Sequence, residues 1–307
     1  MIERVGRPLG LLLLAGALLA SGGPVRAEDA PPPPGRERLT VFVSILPQSW
    51  FVERIGGRDV EVLFLVGPGD SPATFEPAPR DLARLDDADL LLTIGVPLER
   101  MLLPRLRDQR YGLAVVDMAA GIARREVAPE EAHGHGAETK DPHVWLDPHR
   151  AEALARNTRD ALARLRPGSA GRYDENLRSV LEDLRAADRR LRERLAPCEG
   201  ATVLVFHPAF GYFTDRYGLR QLAIQAGGLE PGPRHLARTI ERARKLGLRT
   251  VFAQPQAPSA SVKTVAEAVG GKAEVLDPLA PDYLDNLSRI GEAFAGAVCQ
   301  SGRAAGR

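Results

Sequence analysis

Short, nearly continuous apolar runs alternate along this chain with segments patterned for helices, and that alternation narrows the fold more than any other feature. Runs at 39–45, 60–66, 90–94 and 113–116 are separated by helical stretches at 50–55, 79–86 and 98–107. A strand that is apolar on both sides must be covered on both sides, and intervening helices predict a parallel sheet rather than hairpins. The pattern returns downstream, with strands expected at 201–206, 222–224, 250–253 and 273–276 and helices at 208–217, 233–246, 259–269 and 283–298. A length of 307 residues suits about two domains. The expected fold is α/β, with two doubly wound, mainly parallel lobes at 37–147 and 198–307.

The region 148–197 breaks the alternation and is helical, with one helix at 148–165 and a longer one at 169–195. In the second, Tyr173, Leu177, Leu181, Leu184, Leu191 and Leu195 recur at steps of three, four or seven, which places them in one stripe. Pro167-Gly168 precedes this helix and Pro197 follows it, so it is suited to join the lobes as one long backbone α-helix.

The first residues look like an export signal. Arg4 and Arg7 are followed by an apolar run at 9–20 and small residues before a cleavage point after Ala27, which makes 1–27 a secretory signal peptide. The run is shorter than the roughly 20 residues that a membrane-spanning helix needs. No cysteine stands at the cleavage point, so a soluble periplasmic protein without a lipid anchor is expected. Residues 28–36 form a proline-rich leader expected to be disordered. Lys and Arg number 41 against 40 Asp and Glu, a balance that argues against a nucleic-acid partner. A monomer is expected. Cys198 and Cys299 either form a bridge closing a loop of about 100 residues or remain two unpaired thiols, since spacing does not say whether they are adjacent. Neither has a zinc-finger spacing.

Ligands of open parallel sheets bind beyond the carboxyl ends of the strands, which directs attention to the polar residues there. Gln48 follows the first strand, His207 follows TVLVF, Gln254 follows TVFA, and Asp277 follows AEVL. His143 lies in DPHVWLDP, braced by prolines, with Trp145 and Leu146 as anchors. Singly, each has a plain reading: a strand-end histidine hydrogen-bonds its loop, and an Asp before Pro forms a turn or caps a helix. Together, two imidazoles and a carboxylate compose a donor set suited to a transition metal.

Six segments, in order, resemble the zinc/manganese class of periplasmic solute-binding proteins that serve bacterial ABC importers. They are SILPQSWFVERIGG (44–57), VGPGDSPATFEPAPRDLARLDDADLLLTIGVPLE (66–99), DPHVWLDP (141–148), FHPAFGYF (206–213), FAQPQ (252–256) and LDPLA (276–280). The resemblance implies two lobes on a backbone helix, a metal site in the cleft between them, and metal ligands at His143, His207 and Asp277. It implies a receptor, not an enzyme, that captures Zn2+ and delivers it to an ABC permease in the membrane. Histidine at position 207 is typical of the zinc members, and imidazole suits zinc better than manganese. The histidine-rich loop of the family is reduced here to His133 and His135, either a weak accessory metal site or a solvated loop.

One departure matters. The family's first histidine ligand is replaced by Ala73, which leaves a two-histidine, one-aspartate set with an open position. Water, Gln48, Asp70 or Glu76 are the candidates to fill it. Gln48 alternatively orders its loop, and Glu76 alternatively caps the helix beginning near Pro79. The departure leaves open a receptor for Mn2+, Fe2+ or a metal chelate, and also a metal-dependent hydrolase or oxygenase. Binding that needs both imidazoles neutral should weaken as pH falls through about 6.5. His149 and His235 are expected to be ordinary, His235 on a solvated basic face. Phe206, Phe210, Tyr212 and Phe213 are expected to pack beneath the site.

Overall fold

The computed structural model of the chain describes residues 38–108, 113–127, 140–225 and 232–299. The expected signal peptide (1–27), the expected leader (28–36), and His133 and His135 lie outside the described residues. The first lobe holds β1 (Leu39–Ile45), α1 (Leu46–Gly56), β2 (Val60–Val66), α2 (Pro79–Leu85), β3 (Leu90–Thr93), α3 (Leu98–Asp108) and β4 (Ala114–Asp117). After α4 (Pro148–Leu165) and α5 (Ala170–Leu195), the second lobe holds β5 (Thr202–Val205), α6 (Gly211–Arg216), β6 (Arg220–Ala223), α7 (Pro233–Lys245), β7 (Thr250–Ala253), α8 (Ser259–Ala268), β8 (Lys272–Val275) and α9 (Tyr283–Val298).

Both sheets are parallel throughout, in the orders β2-β1-β3-β4 and β6-β5-β7-β8. Each order reverses beside its first strand, which opens a crevice at the carboxyl ends of β1 and β3 and of β5 and β7.

Helix starts explain where the boundaries differ from expectation. α1 begins at Leu46, ahead of the expected 50, because Pro47 sits in the first turn, where its missing N–H is harmless. Ile45 has no capping oxygen, and Gln48 Oε1 accepts its N–H instead, at 3.0 Å. At α2, Asp81 reaches back to the Ala78 N–H at 3.0 Å, so the cap expected from Glu76 comes from Asp81, and Glu76 stays exposed. α6 starts at Gly211, later than the expected 208, because a tight turn intervenes in which the Ala209 N–H bonds to His207 O.

α5 is 26 residues long. Its buried stripe is Tyr173, Val180, Leu184, Ala187, Leu191 and Leu195, with the expected Leu177 and Leu181 half-buried on its flank. Toward the first lobe, the Tyr173 hydroxyl donates to Asp59 at 3.0 Å and Arg172 pairs with the same carboxylate. Toward the second, Asp188 binds Arg216 at 2.7 Å and the Tyr217 hydroxyl at 3.2 Å.

One apolar core runs through both lobes and along α5. Val203 and Val205 of β5 face it, while Leu204 and the following Phe206 face a second core under α7 and α8, the alternation that a strand imposes. Cys198 and Cys299 are bridged with Cα atoms 4.7 Å apart, which ties the start of β5 to the end of α9. Among the described residues no helix is long and apolar enough to cross a membrane.

Candidate metal site

His143 precedes the turn that leads into α4. Its backbone N–H and its Nδ1 both meet Asp141 Oδ1, at 2.9 and 2.7 Å. Burial would raise the Asp141 carboxyl, but the charge and hydrogen bonds of His143, and then Arg125, hold it below the usual 3.8. An ionised carboxylate can only accept, so Nδ1 carries a proton, and the lone pair of the uncharged ring then falls on Nε2. Arg125 Nη1 donates to Asp141 Oδ2 at 3.1 Å.

His207 follows β5 and Gln225 follows β6, and parallel pairing of those strands sets them side by side. Gln225 Oε1 lies 2.9 Å from His207 Nδ1. Burial foremost, with the charge of His143 second, lowers the His207 pKa from 6.5 to about 4, against opposing effects of Gln225 and Asp141. The two imidazoles stand 5.4 Å apart between ring centres, with planes at 74°. Two rings bound at about 2.0–2.1 Å to one tetrahedral zinc would have centres roughly 5 Å apart, so the spacing fits a shared cation.

Asp277 follows β8. Its Oδ1 accepts from the Leu279 N–H at 2.9 Å, and its carbonyl accepts from Asn286 Nδ2 at 2.7 Å. Burial raises its carboxyl above 3.8. Trp145 Nε1 donates to Pro278 O at 2.8 Å, and the Tyr283 hydroxyl donates to Trp145 O at 2.5 Å. The residue after Asp277 is thereby bonded to the residue two beyond His143. Among the described residues no group of three or more His, Cys, Asp or Glu side chains is gathered closely enough to hold a cation. His143 and His207 come together, and Asp277 stands outside that pair.

Of the two readings of Gln48, the structure shows the one in which it orders its loop. It is fully buried, and its amide is engaged at both ends: Oε1 on the Ile45 N–H, Nε2 on Leu92 O at 2.9 Å and on Met118 sulfur at 3.5 Å. It is a core hydrogen-bonding residue, its amide committed to the loop between β1 and α1 and to β3. Asp70, Ala73 and Glu76 are all exposed on the segment between β2 and α2. His235 is half-buried and bonded to Ile224 O at 3.1 Å, not simply solvated, because the α7 start is packed against the end of β6.

The sequence reading missed the brace around Asp141. The Tyr212 hydroxyl donates to Asp141 O and accepts from the Arg125 N–H, both at 2.9 Å, while Arg125 Nε binds Asp215 at 3.1 Å. Tyr212 is buried as expected, yet its hydroxyl crosses to the segment that carries His143. The only available signal for Asp141 was an aspartate two residues before a histidine, the spacing of an Asx turn.

The family model described as zinc-uptake complex component A, periplasmic (ZnuA), matches residues 41–297. The zinc-binding protein AdcA of Streptococcus pyogenes serotype M3 is 28% identical over 263 residues, covering 79% of this chain and 50% of AdcA. The chain thus spans about half the length of the AdcA relatives that it matches. The high-affinity zinc uptake system protein ZnuA of Bacillus subtilis is 28% identical over 254 residues, covering 79% of each chain. A crystal structure of ZnuA superposes with a TM-score of 0.80 at 33% identity, covering 85% of this chain and all of the other. A ZnuA deletion mutant with zinc bound gives 0.79 at 33% identity, covering 85% and 98%.

Proposed function

The chain belongs to the periplasmic zinc-uptake complex component A family, and from that premise we propose that it is a receptor which captures Zn2+ on His143, His207 and Asp277 and hands it to an ABC permease. The observation that carries the reading is the imidazole pair. Two rings 5.4 Å apart each have Nδ1 engaged by a dedicated acceptor, Asp141 or Gln225, which leaves Nε2 of each for a cation. Outer partners of this kind fix the orientation of metal-binding histidines.

Asp277 supplies the anionic donor. Its loop is bonded to the His143 segment through Trp145 and Pro278, so a small rearrangement of the loop, rather than movement of a whole lobe, brings the carboxylate to the pair. The donor set is rich in imidazole and favours zinc over manganese. Ala73 supplies no donor, so water completes the shell, with Asp70 and Glu76 as the carboxylates of the same exposed segment. An incomplete protein shell suits a carrier, which must release its ion as well as hold it. The protein acts outside the cytoplasm, as a monomer, and catalyses nothing.

Calorimetric titration of Zn2+ into the chelator-stripped protein tests this reading. The wild type should bind one ion, and His143→Ala and His207→Ala should each lose most of the heat. Equal heats in all three proteins would place the ion elsewhere.

A further inference from the structure

His207 Nδ1 is met by a side chain from the end of the neighbouring strand. Val205 of β5 pairs with Ala223 of β6, so positions 207 and 225, two beyond each, emerge together at the carboxyl end of the sheet. Gln225 is only 9% exposed, and its backbone N–H donates to Phe206 O at 2.8 Å, which fixes its main chain against the residue before His207. Its Oε1 then meets Nδ1 at 2.9 Å.

The two ends of an amide make opposite demands on an imidazole. An oxygen at Nδ1 requires the proton there and leaves Nε2 with the lone pair. An NH2 group at Nδ1 requires the lone pair there and puts the proton on Nε2, where it must be displaced before a cation binds. The structure presents the oxygen. At His143 the same choice is made by Asp141, which has only oxygens to offer; at His207 it depends on how the glutamine amide is held.

We propose that Gln225 is a positioning residue that presets His207 as the Nδ1–H tautomer, so that Nε2 meets Zn2+ without a prior proton shift. This rests on His207 being a zinc ligand.

The test is proton–nitrogen correlation NMR of the imidazole rings in the metal-free chain at about pH 8, where an ordinary imidazole is neutral. His207 is assigned by comparison with His207→Ala. The wild type should show the Nδ1–H form, a result that does not depend on any Gln225 variant folding. Gln225→Leu should populate the Nε2–H form and weaken zinc binding by about 10- to 100-fold, the usual effect of losing such a partner. Gln225→Glu keeps an accepting oxygen and should retain the Nδ1–H form and bind zinc more tightly than Gln225→Leu. A wild-type spectrum of the Nε2–H form, or a Gln225→Leu protein with unchanged tautomer and zinc affinity, would overturn the proposal. Adding zinc to the wild type separates this claim from its premise: if the His207 Nε2 resonance does not move, the ligand assignment fails whatever the tautomer.

Discussion

His207 predicts a pH response that its position in the sequence does not. Unfolded, the ring takes up its proton near 6.5; folded, burial and then the nearby His143 hold protonation off until about 4. Between those values the unfolded chain binds more protons, so the metal-free protein loses stability as pH falls from 6.5 to 4, while above 6.5 this group contributes nothing. The loss is at most about 3 kcal/mol. Denaturant unfolding at about pH 7 and about pH 5 should show a smaller drop for His207→Gln than for the wild type, and equal drops would contradict the lowered pKa. A strand-end histidine gave no sign of this, because burial is set by the neighbouring lobe; the expected loss of zinc binding near 6.5 therefore moves down for the share that belongs to His207. Gln48 teaches the converse. Its place at a strand end was legible, but not that an uncapped Ile45 draws its side chain inward. Gln48→Ala strands the buried Ile45 N–H and should destabilise by about 1–3 kcal/mol, with zinc affinity unchanged; a selective loss of zinc affinity would return Gln48 to the ligand set.

Among the elements, those whose own side chains carry the apolar pattern were the most legible. β1, β2, β7, α4 and α9 have the expected bounds. β6 and β8 begin earlier than expected, at Arg220 and Lys272, because their polar first residues are strand only through pairing with β5 and β7. The α5 stripe was legible as a face but not in its membership, since Val180 and Ala187 are chosen by the helices packed on them. The cysteine pair was undecidable from spacing alone. The bridge closes a separation of 101 residues, and in the chain-entropy model that contributes about 4–5 kcal/mol. The Cys198→Ser/Cys299→Ser protein should therefore lose up to about that much in denaturant unfolding. It should bind zinc as the wild type does, because Cys198 precedes β5 and His207 follows it. Unchanged stability would show that the bridge constrains little.

At the scale of the molecule, two lobes and a bridging helix could be read from the alternation of elements, but their shared core could not. That core, together with the Trp145–Pro278 and Tyr212–Asp141 bonds, couples the lobes more tightly than a hinge between separate cores would. Small-angle scattering should accordingly give the same radius of gyration with and without zinc, and a marked contraction would reveal a hinge. The donor set itself was legible from strand ends plus a family resemblance; the outer brace of Asp141, Gln225, Arg125 and Tyr212 was not, because each is an ordinary residue until the chain is folded. The central claim is that one Zn2+ sits among His143, His207 and Asp277. Anomalous scattering from a zinc-loaded crystal, recorded on both sides of the zinc edge, tests it most directly. The account predicts one strong peak within bonding distance of both imidazoles and the carboxylate; a peak away from the His143–His207 pair, or one without Asp277, would contradict it.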